Sequence, residues 1–164
     1  IMQHKKGSLI CDRASYRPYG YFLIEGMAAA SEVDIDKNYL HWVGLAGDFF
    51  TSTAHTYNVE VQNQDIHLLT DGKIAYIHLV QLREIADNHI AVQRFLHLQQ
   101  CQRTTFFQLK TLILAHQASQ RYAKLCFYFP QIAYRLNNKQ LSNFLAIDLK
   151  TLYKSKKNLL FNAI

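Results

Sequence analysis

Only two prolines and six glycines interrupt the 164 residues, and from Gln81 to His116 there is neither, leaving 36 residues without a backbone breaker. Cysteine is also scarce: Cys11, Cys101 and Cys126 are far apart and odd in number. That pattern argues against a disulfide framework, a zinc knuckle or a cysteine-ligated iron–sulfur cluster, and it suits a reducing cytoplasm. The three thiols are expected as small buried side chains. No apolar run reaches the roughly 18 residues that a membrane span needs, and no secretory-type segment is visible. Acidic residues nearly vanish late in the chain: residues 120–164 hold eight Lys/Arg and only Asp148, a balance of +7. Residues 1–119 hold ten Lys/Arg and eleven Asp/Glu, a balance of −1. The net charge of +6 therefore gathers in the last quarter, as in a polyanion-binding module joined to a neutral one.

What is present is a folded chain: 49% of the residues are apolar, with ten Phe and ten Tyr. Up to residue 80 the pattern is one of short strands separated by turns. Hairpin turns are expected at Glu25-Gly26 and at Asp71-Gly72, and "NYLHWVGLAGDFF" alternates around Trp42 before reaching Gly47. Regularly spaced short strands with glycine punctuation predict an antiparallel barrel or sandwich. After residue 80 apolar positions recur at helical spacing: Leu82, Ile85, Ala86, Val92, Leu96, Phe106, Leu109, Leu112 and Ile113. Asp87-Asn88 is expected to split this run, with Asn88 capping a second helix of about 28 residues, roughly 42 Å long. A helix of that length leaves an amphipathic stripe uncovered by one small barrel, which points to a second copy as its partner. Ser119 is the expected N-cap of a further short helix that Pro130 closes.

The stretch "NKQLSNFLAIDLKTLYKSKKNLL" reads as two short helices, 138–145 and 149–157. Leu141, Phe144 and Leu145 share the apolar face of the first, and Ser142 is small enough to let another helix cross close by. Ala146 and Ile147 make the connection and Asp148 is a natural N-cap for the second helix. Leu149, Leu152 and Leu160 are expected to point inward, leaving Lys150, Thr151, Tyr153, Lys154 and Lys157 outside. Apolar anchor, small residue, turn, second anchor and cationic face follow one another as in a helix-turn-helix. Lysines can neutralise phosphates or donate to guanine, and Thr and Tyr hydroxyls reach phosphate oxygens. A solvated basic helix is the plainer account of the same spacing.

The segments "KKGSLI", "YFLIEGMA", "GDFF" and "SQRYAKLCFYFPQIAYRLNNKQLSNFLAIDLKTLYKSKKNL", taken in order, resemble the Crp/Fnr family of bacterial transcription regulators. The resemblance covers nearly the whole chain and is most specific over 119–159; the family's helix before the first strand is expected to be either missing or cut off here. It implies an α+β fold, with an N-terminal antiparallel β-roll of cyclic-nucleotide-binding type over 1–80. A dimerisation helix region over 81–117 and a helix-turn-helix DNA-binding domain over 118–164 complete it. The implied partners are double-stranded DNA, a second copy through the long helix, a small-molecule effector of unknown identity and RNA polymerase; no membrane is implied. Leu149, Lys150 and Lys154 occupy positions where the family reads base edges, and Thr151 one where it meets phosphate. Lys139, Gln140, Tyr153 and Lys157 complete the candidate DNA-binding set. The turn position often held by Gly is Ala146 here, and Ser155 stands where an apolar residue is expected.

The sensor half departs further. After Gly47-Asp48 there is no Gly-Glu pair, and residues 38–72 contain no Lys or Arg. A semi-buried phosphate needs a cation or many aligned N–H donors, so cyclic AMP is not expected in the usual manner. Gly47, Asp48, Thr51, Ser52, Thr53 and His55 are the candidates to line a pocket for a neutral ligand, or simply to satisfy loops. Eight histidines are scattered without H-x-x-x-H or H-E-x-x-H spacing, and nothing selects haem ligands among them. No phosphate loop, nucleophile elbow or paired carboxylates appear, so neither catalysis nor a bound cofactor is expected. The competing reading is a ligand-sensing or protein-interaction module whose degenerate helix-turn-helix no longer binds DNA.

Overall fold

The computed structural model describes residues 1–12, 18–34, 37–51 and 64–161, and these form two compact units. The first holds Ile1–Glu32 and His41–Gln102, the second Val33–Leu40 and Arg103–Ile164. The strands are β1 (Met2–His4), β2 (Leu9–Cys11), β3 (Tyr19–Glu25), β4 (Met27–Asp34), β5 (Lys37–Leu45), β6 (Phe49–Thr51), β7 (Asp65–Leu68) and β8 (Gly72–His78). They make two four-stranded sheets, ordered β1-β8-β3-β6 and β2-β7-β4-β5.

The expected barrel or sandwich is therefore present, but two of its expected turns are not hairpins. The chain leaves one sheet for the other at Gly26, between β3 and β4, and again between β7 and β8. The glycines serve a different need. Gly26 has φ +100°, and a Cβ there would lie 2.8 Å from the Asp71 carbonyl oxygen; one on Gly72 would lie 2.4 Å from that of Glu25. The two corners lean on each other backbone to backbone, so both positions exclude a side chain. Between the sheets lie Leu23, Ile66, Leu68 and Ile74 with the ring of Phe50, which stacks on Tyr21 at 5.4 Å and meets Trp42 at 5.4 Å. Alternation places this set inward: in β7, Ile66 and Leu68 are buried while Asp65 and His67 are half-buried.

Helices follow without a long loop. α1 (Leu79–Asn88) is capped by His78, whose Nδ1 accepts from Val80 N, and it buries Leu79, Leu82 and Ala86. The break before α2 (Ile90–Ala115) falls at His89, not at Asn88. Asn88 ends α1 and donates its amide to Glu84 O, while His89 O accepts from Val92 N and Gln93 N. α2 has 26 residues, about 39 Å of helix. In the first unit its Gln99 side chain accepts from Phe49 N, and Phe95 meets Phe22 and Phe49.

In the second unit α3 (Ala118–Tyr128) starts after Gln117, so Ser119 lies inside the first turn and is not the cap. Pro130 does not simply end a segment: it is the first residue of α4 (Pro130–Arg135), where its missing N–H costs nothing. α5 (Asn138–Leu145) and α6 (Leu149–Phe161) are the last described elements. The core here is Ile113, Leu125, Leu141, Phe144, Leu145 and Leu152.

One charge lies inside that core. Lys110 of α2 is 8% exposed, donates to Leu40 O, and sits 4.6 Å over the Phe144 ring. Burial pushes its ammonium down to about 8 from an ordinary 10.5. Between those values the unfolded chain holds more protons than the folded one, so the Lys110 contribution to stability rises with pH. It is complete above 10.5 and lost as pH falls through about 8. Measured against Lys110→Met by denaturant titration, wild type should gain about 3 kcal/mol from pH 7 to pH 10.5.

Candidate nucleic-acid interface

The basic quarter of the chain holds most of α3, then α4, α5, a short turn and α6. α5 begins with a complete capping box: Asn137 Oδ1 accepts from Gln140 N, and Gln140 Oε1 accepts from Asn137 N, both at 2.9 Å. Its apolar face buries Leu141, Phe144 and Leu145, with Ser142 tucked among them and its hydroxyl donating to Lys139 O. α5 stops because Ala146 turns left-handed, φ 50° and ψ 48°, while Ala146 N and Ile147 N both reach back to Ser142 O. Arg121 of α3 reinforces that stop. Its guanidinium donates to Leu145 O at 3.0 Å and to Ala146 O at 3.2 Å, carbonyls that a helix end leaves open. Nothing in the sequence pattern signals this role of Arg121.

Ala146 is exposed and has the left-handed backbone that glycine tolerates best. Ala146→Gly should therefore stabilise the protein by about 0.5–1 kcal/mol, read as a raised midpoint of urea unfolding. Most other substitutions at an exposed helix end would be neutral or worse.

Asp148 caps α6: Oδ1 accepts from Thr151 N at 2.8 Å and Oδ2 from Thr151 Oγ1 at 2.7 Å. The Thr151 hydroxyl and the Thr151 amide hold its carboxyl below the usual carboxylate range. Inward, α6 presents Leu152 and Ser155, both buried; the side chain of Leu160 lies outside the described set. Ser155 donates its hydroxyl to Thr151 O, which is how a polar residue stands where an apolar one was expected. Leu149 does not point inward as the spacing predicted: it is 43% exposed. It opens the helix, one residue after the cap and one turn before Leu152.

Outward, Lys150, Tyr153, Lys154 and Lys157 stand at i, i+3, i+4 and i+7 and are all exposed. α6 contains no acidic residue. Lys139 is exposed at the start of α5. Three of the candidates have partners inside the fold: Gln140 in the capping box, Thr151 on Asp148, and the Tyr153 hydroxyl accepting from Asn138 Nδ2 at 3.1 Å. Lys156 belongs to the interior side of this surface, donating to Asn138 Oδ1 at 2.6 Å and lying 5.1 Å over the Tyr122 ring. Burial, with a hydrogen bond to Cys126, pushes the Tyr122 phenol up to about 12.

The expected effector residues fare differently. Ser52, Thr53 and His55 lie outside the described residues. Gly47, at φ +100°, and Asp48 form the β5–β6 turn, where Asp48 Oδ2 accepts from Leu45 N at 2.7 Å. Burial raises the Asp48 carboxyl, and that backbone bond pulls the other way. Thr51 is buried in β6, paired with Gly20. The described part of this set is thus built into the turn and sheet. The first unit does have a cavity, of about 260 Å³, elsewhere: His4, Leu9, Tyr19, Tyr21, Ile74 and Tyr76 line it. Sequence reading missed it because β1, β2, β3 and β8 meet there only after the sheets assemble.

Among the described residues no three His, Cys, Asp or Glu side chains of the chain gather as a metal site, and no helix is long and apolar enough to cross a membrane. No protein-family model matches the chain, and no curated protein matches it. Solved structures do. FixK2 from Bradyrhizobium japonicum superposes with a TM-score of 0.79 at 16% identity, covering 99% of this chain and 85% of that one. TTHB099, a CRP-family transcriptional regulator from Thermus thermophilus, gives 0.80 at 12% identity, covering 99% and 86%. CLP of Xanthomonas campestris, described as a c-di-GMP-responsive global regulator, gives 0.76 at 13%, covering 99% and 86%. The chain has the fold of Crp/Fnr-type transcription regulators.

Proposed function

We propose that this chain is a DNA-binding transcription regulator of Crp/Fnr type that acts as a two-fold dimer through α2. The observation that carries the reading is the outward stripe of α6, Lys150, Tyr153, Lys154 and Lys157, on a helix without acids. α5 and the Ala146 turn fix that helix, and Arg121 and Asp148 fix the turn, as a helix-turn-helix needs for a readable groove contact. Lys139, Lys150, Lys154 and Lys157 are the phosphate contacts in this reading; Gln140, Thr151 and Tyr153 support them. Leu149 offers only apolar contact, suited to a thymine methyl. Two copies would present two such helices about 34 Å apart, in successive major grooves. The β-roll unit supplies the regulatory half, and with no cation over 38–72 it is suited to a ligand other than a cyclic nucleotide.

The test is salt dependence of binding to duplex DNA. Eight phosphate contacts, four lysines from each of two copies, give a log–log slope of about −7 and a loss of about 10⁴-fold from 50 to 200 mM salt. Absence of binding at low salt, or affinity indifferent to salt, would support the competing reading of a module that binds ligand or protein through a surface other than α6.

A further inference from the structure

α2 carries a feature that DNA binding does not use. Cys101 is exposed rather than buried, and its Sγ lies 3.6 Å from His97 Nε2, one turn earlier on the same helix. Zinc binds sulfur at about 2.3 Å and imidazole nitrogen at about 2.0–2.1 Å, and two such bonds at a tetrahedral angle place S and N about 3.6 Å apart. The pair is thus one edge of a tetrahedral site, already at ligand spacing. A weak thiol–imidazole hydrogen bond has the same length, so the spacing alone decides nothing; where the pair stands on the helix decides more.

Val92, Leu96, Gln99, Arg103, Phe106, Lys110 and Ile113 repeat at alternating four and three residues and form the covered side of α2. On the opposite side Arg94, Leu98, Cys101, Thr105, Gln108 and Leu112 repeat with the same spacing, all exposed, Leu98 at 59% and Leu112 at 44%. In a parallel two-fold pairing a seam residue meets its own copy across the axis. Cys101 stands mid-seam with His97 beside it, so the two-fold brings a second identical edge to face the first. We propose that two copies of this chain hold one zinc-type ion on the dimer axis, through His97 Nε2 and Cys101 Sγ of each. This inference rests on the dimer reading above.

The donor set fits the metal. Two thiolates and two neutral imidazoles in a tetrahedron select zinc among the common divalent ions, and two thiolates cancel its charge. Each Cys101 thiol releases its proton to solvent on binding. A metal there clamps the two copies in register and links dimer stability to metal supply.

The experiment uses the full chain, reduced and freed of metal, titrated with Co(II) while its mass is followed by light scattering. The expected result is saturation at one cobalt per two chains, with tetrahedral d–d bands and a sulfur-to-cobalt charge-transfer band, both displaced by zinc. Cys101→Ser and His97→Ala should lose those bands and remain dimeric. A dimer that takes up no cobalt, binds one per chain, shows no thiolate band, or instead forms a reducible covalent dimer overturns the metal site and leaves the dimer standing. A monomeric mass with and without metal overturns the dimer reading, and the site with it.

Discussion

Replacing Lys150 and Lys154 together by alanine should weaken duplex DNA binding by about 10³-fold at 0.1 M salt and flatten the salt slope by about 4. The magnitude follows from counterion release. Each phosphate contact contributes about 0.9 to the slope, and two lysines in two copies remove four contacts. The loss should be nearly the same for every sequence tested, because a lysine–phosphate contact positions the protein without reading bases. Thermal unfolding should stay within a degree or two of wild type, since both side chains are exposed. Lys156→Ala is the matched control. Its ammonium is held by Asn138 and lies over Tyr122, so its removal should lower stability and leave the slope close to unchanged. Fluorescence anisotropy at four salt concentrations measures both arms. An unchanged slope in the double variant would mean that α6 does not meet the phosphate backbone.

The parts of this surface that could be read from sequence are those set by contacts within a few residues. Capping by Asp148, the bounds of α5, the small buried Ser142 and the outward lysines all depend on i to i+3 or i+4 neighbours, which sequence order preserves. Leu149 escaped because apolar character says nothing about which side of its first turn a helix uncovers. The alternation of the strands was legible, whereas their pairing was not. Asp71-Gly72 has the composition of a hairpin turn, but β7 and β8 belong to different sheets, and its glycine answers to the Glu25 backbone across the roll. The same limit hid the 260 Å³ cavity, Arg121 on the end of α5, and Lys110 beneath Phe144. Each depends on a partner at least two dozen residues away, or on several strands at once. Charge tally and helical phase identified the candidate surface; only the assembled fold shows which of its side chains are already occupied.

The largest loss of stability should come from Phe144→Ala, at about 3–5 kcal/mol. Phe144 is 1% exposed and central to the second unit: its ring lies 6.1 Å edge-on from Phe106 and carries Lys110 Nζ 4.6 Å above it. Truncation leaves a cavity between α2 and α5. It also strips a buried ammonium of its aromatic neighbour, and that attraction adds to the transfer cost. The two contributions can be separated. Phe144→Leu keeps most of the volume and loses only the ring face, so its cost should be less than half that of alanine. In the Lys110→Met background the charge is gone, and the cost of Phe144→Leu should fall further, the difference being the cation–π coupling of about 1–2 kcal/mol. DNA binding should report the same event differently from the lysine variants. Phe144→Ala leaves every charge on α6 in place, so the salt slope of the folded fraction should match wild type while apparent affinity falls with the fraction folded. Raising pH from 7 toward 10 should restore part of the lost stability in Phe144→Ala, because an uncharged Lys110 no longer needs the ring. A circular-dichroism melt of Phe144→Ala coincident with wild type at pH 7 would show that α5 is held by something other than this ring and the lysine above it.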